Sequence, residues 1–106
     1  MARGDWNSLL VRQALRHSRR VFTHSYFDIK VAPRAQDKGR LLVITPRRSG
    51  NAVKRNLFTR RIRSLFHEYN LQDKEYDWIF FAKPGIKHTT FALLSNALSS
   101  SLETLE

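Results

Sequence analysis

The segment from residue 47 to residue 63 constrains the fold most, because it combines dense positive charge with the spacing of an amphipathic helix. Its seven cations are Arg47, Arg48, Lys54, Arg55, Arg60, Arg61 and Arg63. At 3.6 residues per turn, one face of the helix carries Asn56, Arg60, Arg63 and His67. The opposite face carries Phe58, Ile62, Leu65 and Tyr69. We therefore expect this helix to pack through its apolar face and to bind a partner through its cationic face.

The charge of the chain is unevenly distributed. Residues 1–67 carry sixteen Lys and Arg against three Asp and Glu, whereas residues 68–106 carry three against six. No acid lies between Asp37 and Glu68. A merely solvated helix face normally mixes the two signs, with Glu and Lys four residues apart. The acid-free run therefore predicts a polyanionic partner, with nucleic acid first and an anionic membrane surface second.

Length and composition limit the class of protein. A chain of 106 residues with 42% hydrophobic content is long enough for one compact core and short for two, which predicts a single domain over residues 1–106. The absence of Cys excludes disulfides and thiolate metal sites and fits a reducing compartment. No apolar stretch approaches the roughly 20 residues that a membrane span needs, and no signal peptide is recognisable. We expect a cytoplasmic protein with no membrane contact.

The first part of the chain predicts a helix followed by strands. The helix is predicted over residues 5–16, with Asp5 or Ser8 as N-cap. Residues 26–31 alternate between apolar and polar side chains, which indicates a half-buried strand. Its buried face would carry Phe27, Ile29 and Val31. Residues 21–22 are a candidate for a short additional strand before it.

The middle of the chain predicts a second strand and the cationic helix. Residues 41–45 form an apolar strand that we expect to run antiparallel to the first. The helix is predicted from about residue 54 to residue 69, with Ser49 or Asn51 as N-cap.

The last third predicts one strand and one helix. Residues 77–82 are predicted as a strand covered on both faces, because the side chains that follow Asp77 are continuously apolar, and Trp78, Phe80 and Phe81 are interpreted as packing residues. The final helix should start at Thr89 or Thr90. Its apolar stripe is Phe91, Leu94, Leu98, Leu102 and Leu105. The predicted order is α-β-β-β-α-β-α, an α/β (α+β sandwich) fold with a mixed sheet and helices packed on it.

Catalytic chemistry leaves little trace in the sequence. The four histidines, at positions 17, 24, 67 and 88, have neither the i, i+4 spacing of a zinc pair nor an adjacent nucleophile. The acids Asp73, Glu75 and Asp77 are interpreted as solvated residues of a loop that leads into a strand. We predict no catalytic residue and no metal ligand among the side chains.

The cationic segment resembles the signature of the bacterial ribonuclease P protein family. The matching residues are Gly50-Asn51-Ala52-Val53-Lys54-Arg55-Asn56, then Arg60-Arg61-Ile62-Arg63 and Phe66. As in that family, the signature follows a strand and a basic pair and precedes a segment that runs from Asp77 to Gly85. Nearly all of residues 8–100 can be aligned with the family.

The resemblance implies a fold and a function. The connection through the cationic helix would be left-handed, although such connections are right-handed in about 98% of cases. The chain would be a non-catalytic subunit, a monomer in the holoenzyme, that binds a large catalytic RNA and the 5′ leader of precursor tRNA. The RNA subunit, with Mg²⁺ bound mainly through RNA, would cut the phosphodiester bond.

The resemblance also implies which residues bind RNA. The RNA-binding set is Arg47, Arg48, Lys54, Arg55, Asn56, Arg60, Arg61 and Arg63. The leader cleft would be formed by Val11, Leu15, Phe27, Ile29 and Thr59. The chain departs from the family at the first two of these positions, which are usually aromatic. It also has Pro46 for Ser, Leu57 for Arg and Thr59 for Lys, so we expect weaker base stacking and compensation by Arg19, Arg20 and Lys54.

Three other functions fit parts of the sequence. The chain could be a ribosomal protein or RNA chaperone that binds structured RNA through the same helix. It could be a nuclease in its own right, against which the missing acid/base constellation argues. It could also bind DNA by placing the cationic helix in a major groove.

Overall fold

The computed structural model describes residues 6–105 and confirms the predicted order of elements. The elements are α1 (Ser8–Arg16), β1 (Arg19–Thr23), β2 (Phe27–Pro33), β3 (Leu41–Ile44), α2 (Ala52–Glu68), β4 (Tyr76–Ala82) and α3 (Phe91–Leu105). Short 3₁₀ turns lie at Arg47–Ser49, Leu71–Asp73 and Ile86–His88. None of the helices in the described part of the chain is long and apolar enough to cross a membrane.

The four strands form one mixed sheet in the order β1-β2-β4-β3. β2 is antiparallel to both β1 and β4, whereas β3 is parallel to β4. β3 therefore runs opposite to β2, as predicted, but the two strands are not neighbours because β4 lies between them. The continuously apolar β4 takes the position where both of its edges are paired. The β3-α2-β4 connection is the crossover that the resemblance predicts to be left-handed.

The main hydrophobic core lies between the sheet and the helices α2 and α3. The apolar face of α2 is buried as predicted, and Phe58, Ile62 and Leu65 are at most 1% exposed. The buried residues of α3 are Leu94, Ala97, Leu98 and Ser101. Phe91, predicted in this stripe, is 39% exposed, because burial begins only one turn into the helix.

The second face of the sheet is covered by α1. Asp28 and Ala32 lie on the face of β2 opposite to Phe27, Ile29 and Val31, and they are only 7% and 3% exposed. The strand is therefore buried on both faces rather than half-buried, since α1 packs on it.

Asparagine side chains begin both of the first two helices. The Oδ1 atom of Asn7 accepts the Leu10 N–H at 2.9 Å, so Asn7 caps α1 in place of Ser8, and Asp5 lies outside the described residues. The Oδ1 atom of Asn51 accepts the Lys54 N–H at 2.9 Å, which makes Asn51 the cap of α2. Because the N-cap directly precedes the first helical residue, α2 starts at Ala52, two residues earlier than predicted.

Candidate nucleic-acid interface

The cationic face of α2 is exposed over its whole length. Asn56, Arg60, Arg63 and His67 are all exposed, as the helical spacing predicts. The same helix buries Phe58 and Ile62 against the sheet. Packing therefore fixes the orientation of the helix, and the cations remain in water.

The cations of residues 47–63 are not neutralised by acids within residues 6–105. Salt bridges in this part of the chain join Arg20 and Lys83 to Asp28, Lys38 to Asp73, and Arg40 to Asp77. None of them involves a cation of the 47–63 segment. The segment therefore presents a positive field to any anionic partner.

Two of the seven cations also hold the protein together. Arg61 is half-buried, and its Nη1 donates to the Thr89 carbonyl oxygen at 3.0 Å. Arg55 is half-buried, and its Nε donates to the Gly50 carbonyl oxygen at 3.1 Å. A guanidinium has five N–H donors, so each side chain keeps donors beyond these bonds. The predicted RNA-binding set therefore contains exposed cations and two half-buried ones, Arg55 and Arg61, whose side chains are hydrogen-bonded to the backbone.

A groove of about 570 Å³ runs between α1, β3 and α2. Three of the five residues predicted for the leader cleft, Val11, Leu15 and Thr59, line this groove. Arg63 of the cationic face also lines it, so the groove and the cationic face are continuous. Its remaining walls include Leu42, Ile44 and Phe81.

Phe27 and Ile29 do not line the groove, contrary to the expectation. Both are 0% exposed and lie in the core with Phe58. Neighbouring residues of a strand face opposite sides of the sheet. Asp28 is paired with Phe81, which lines the groove. The residues of β2 that face the groove side are therefore Asp28 and its alternate neighbours, whereas Phe27 and Ile29 face the core. Phe27, Ile29 and Val31 make up the face of β2 that is entirely apolar, and this pattern in the sequence indicates a core position.

Two aromatic residues in the groove were missed or misassigned by the sequence analysis. Trp6 and Phe81 are half-buried and line the groove. The Nε1 atom of Trp6 donates to the Leu41 carbonyl oxygen at 2.9 Å, and the Arg40 guanidinium lies 4.3 Å from the centre of its ring. The half-buried position of Phe81 in the groove corrects its interpretation as a packing residue. The groove is therefore partly aromatic although Val11 and Leu15 are not.

Asp28, on the same face of the sheet as the groove, pairs with the cations Arg20 and Lys83. It accepts a hydrogen bond from Thr23 at 2.6 Å and lies 2.9 Å from the Lys83 ammonium and 3.6 Å from the Arg20 guanidinium. Burial raises the pKa of Asp28, but the hydrogen bonds from Thr23 and Lys83 and the two positive charges outweigh it, so the pKa lies below its ordinary value. Arg20 is thus partly balanced, which leaves less of its charge to compensate for cations missing elsewhere.

The acidic side chains do not assemble a metal site in the part of the chain that the structure describes, where no group of three or more His, Asp or Glu could hold an ion. Asp73 and Glu75 are exposed, as predicted. Asp77, predicted to be solvated, is 1% exposed and forms an ion pair with Arg40 at 3.2 Å. Asp77 is buried because it lies inside β4 (Tyr76–Ala82), where Arg40 packs on it and neutralises its charge.

The ribonuclease P family model matches residues 11–106 of this chain. The chain belongs to the ribonuclease P protein family. Membership implies an RNA partner in a ribonucleoprotein that processes tRNA. The match includes all of α2 and most of the groove, whereas Trp6 lies before it.

Solved structures from this family share the fold. The Staphylococcus aureus RNase P protein is similar over 95% of this chain and 93% of its own, with 22% identity and a TM-score of 0.79. The Thermotoga maritima RNase P protein is similar over 91% of each chain, with 19% identity and a TM-score of 0.73. No curated protein sequence matches the chain.

Proposed function

We propose that this chain is the protein subunit of ribonuclease P. Residues 1–106 act as a single RNA-binding domain and as a monomer in the holoenzyme. The cationic face binds the catalytic RNA, and the groove binds the 5′ leader of precursor tRNA. The RNA subunit, with Mg²⁺ held mainly through RNA, cuts the phosphodiester bond. The observation that carries this proposal is the unneutralised cationic face beside a partly aromatic groove, in a member of this family.

The cationic face suits a folded RNA. Its 17-residue helix is about 25 Å long at 1.5 Å per residue, which spans several phosphates. Each cation that meets a phosphate releases condensed counterions, so binding gains free energy that depends on salt. The contacts to the backbone need no particular base sequence.

The groove suits a single strand. Proteins that bind single-stranded nucleic acid combine a cationic path for the backbone with aromatic rings on which bases stack. Arg63 supplies the charge at this groove, and Trp6 and Phe81 supply the rings. The usual aromatic positions on α1 are occupied by Val11 and Leu15, so stacking moves to the N-terminal side of α1 and to β4.

Replacing single cations of the exposed face should weaken RNA binding and its dependence on salt. For Arg60→Ala and Arg63→Ala, we expect the slope of log affinity against log salt to fall by about 1 each, because each loses one phosphate contact. Arg55→Ala should behave similarly, with an added effect from the lost bond to Gly50. The measurement is a salt titration of binding to a bacterial ribonuclease P RNA.

The matched control for the salt titration is Lys74→Ala. Lys74 is an exposed cation that lies outside the 47–63 segment and the groove. Its replacement should leave the slope unchanged. If the three arginine variants also keep the wild-type slope, the cationic face is not the RNA-binding surface.

A cleavage assay at low Mg²⁺ tests the subunit role. One gel compares protein alone, bacterial catalytic RNA alone and the two together on precursor tRNA. We expect no product from the protein alone and more product from the combination than from the RNA alone, because the cations offset repulsion between two RNAs.

Two outcomes of the assay would change the conclusion. Product in the protein-only lane that survives repurification and is lost on mutation of one acid or histidine would show a nuclease. No gain in the combined lane, with RNA binding intact, would favour the generic structured-RNA-binding alternative.

A further inference from the structure

Five aromatic rings contact one another in a row from the core to the surface, four on the hairpin of β1 and β2 and the last, His88, on the Ile86–His88 turn. The ring centres of Phe22 and Phe27 are 5.9 Å apart, and those of Phe27 and His24 are 5.1 Å apart, each pair inclined by only 18°. The outer pairs are tilted: Tyr26 follows His24 at 5.3 Å with the rings inclined by 50°, and His88 follows Tyr26 at 5.4 Å with the rings inclined by 38°. Phe27 is fully buried, whereas His88 is exposed. The row of rings therefore ends in an open ring.

The outer end of the row of rings is held in place by two hydrogen bonds that Lys83 donates, one from its side chain and one from its backbone. Lys83 donates from its Nζ to the His24 carbonyl at 3.0 Å and from its backbone N–H to the Tyr26 carbonyl at 2.9 Å. Gly85 has a φ of 98°, and a Cβ there would lie 2.7 Å from two atoms of the Tyr26 ring. Gly85 therefore allows the left-handed backbone of the turn and leaves the space that the Tyr26 ring occupies. The ring behind His88 is ordered before any partner arrives.

The Ile86–His88 turn is fastened to the cationic helix at both ends. A Cβ on Gly50 would lie 3.3 Å from Ile86 Cγ1, so the turn packs directly against the loop that begins α2. Directly after the turn, the Thr89 carbonyl accepts the hydrogen bond from Arg61. The turn that carries His88 is therefore held between the loop that begins α2 and the middle of that helix, where Arg61 lies.

The Ile86–His88 turn and the loop that packs against it at Gly50 both carry exposed cations. Lys87 is exposed and has no acidic partner among residues 6–105. The basic pair Arg47 and Arg48 is also exposed, on the loop that ends at Gly50. An exposed ring among unneutralised cations fits an unstacked base with its phosphate better than it fits an apolar or cationic partner.

We propose that His88, backed by Tyr26, is a stacking platform for one unpaired base of the RNA that α2 binds, and that Lys87 contacts a neighbouring phosphate. This inference rests on the proposed function, because it assumes that the catalytic RNA lies on α2. It extends the RNA-binding surface from α2 to the Ile86–His88 turn, which the hydrogen bond from Arg61 to the Thr89 carbonyl holds against the helix. Stacking tolerates any base, so the platform adds affinity with little sequence preference.

The test compares binding of a bacterial ribonuclease P RNA by wild type, His88→Ala, His88→Phe and Lys87→Ala. We expect His88→Ala to weaken binding about tenfold with an unchanged salt slope, since stacking of one base is worth roughly that factor. His88→Phe should restore the affinity because it restores the ring. Lys87→Ala should lower the slope by about 1. His17→Ala, an exposed histidine after α1, is the control and should bind like wild type.

The outcomes separate this inference from the proposed function. If Arg60→Ala weakens binding and His88→Ala does not, the platform is wrong and the subunit role stands. If His88→Phe binds as weakly as His88→Ala, the imidazole acts through a hydrogen bond and the stacking inference fails. If wild type does not bind the RNA at all, both proposals fail. Melting curves should be equal for all these variants, because the four replaced residues, His88, Lys87, His17 and Arg60, are exposed.

Discussion

The Ile62→Asp variant should be unfolded at room temperature. Ile62 is 0% exposed and packs in the core with Phe58, Leu65 and the strand β4. The substitution removes about 2 to 3 kcal/mol of apolar burial and places an unpaired carboxylate where water cannot reach it. Together these costs rival the roughly 5 to 15 kcal/mol that stabilises a typical folded protein. Circular dichroism should show little helix and no cooperative melt, and RNA binding should be lost with the structure.

Ser64→Asp is the matched control for this prediction. It adds the same carboxylate to the same helix two residues later, at an exposed position. We expect its melting curve to resemble that of wild type, since surface substitutions usually change stability by less than about 0.5 kcal/mol. A cooperative, wild-type-like melt for Ile62→Asp would mean that the two faces of α2 have been assigned the wrong way round.

The Asp77→Ala variant should be the second most damaging. Asp77 accepts the Arg40 backbone N–H at 2.8 Å and the Arg40 Nη2 at 3.2 Å. The two side chains are 2% and 10% exposed, and the Nε and Nη1 atoms of Arg40 have no hydrogen-bond partner among the described residues. Removing Asp77 leaves a buried guanidinium without its anion, which typically costs about 3 to 5 kcal/mol. We expect a melting temperature lowered by more than about 10 °C.

Asp73→Ala provides the comparison for Asp77→Ala. Asp73 pairs with Lys38 at 3.1 Å, nearly the same separation, but its side chain is 57% exposed and that of Lys38 is 66% exposed. A surface pair of this kind contributes about 0 to 1 kcal/mol. The two ion pairs have similar lengths and differ in burial, and Asp77→Ala additionally removes the acceptor of the Arg40 backbone N–H. Equal losses of stability in the two melts would show that burial does not set the cost at Asp77.

The feature that the sequence predicted best is the division of α2 into an exposed cationic face and a buried apolar face, which depends on local spacing. Helical periodicity alone separated Arg60 and Arg63 from Phe58 and Ile62, and the structure exposes and buries them accordingly. The absence of acids near the cationic segment was likewise visible in the chain. Side-chain periodicity and charge order are properties of neighbours in sequence, so they persist whatever the rest of the fold does.

Other features were decided only by tertiary structure. The tertiary structure decided which face of the sheet borders the groove: Phe27 and Ile29 face the core with Phe58, whereas the groove lies on the opposite face, where Phe81 lies. Asp77 became a buried ion-pair partner through Arg40, 37 residues away. Trp6 reached the groove through a bond to Leu41, 35 residues away. These contacts join residues that are distant in sequence, and no local pattern specifies which distant partner a buried charge or an aromatic ring will meet.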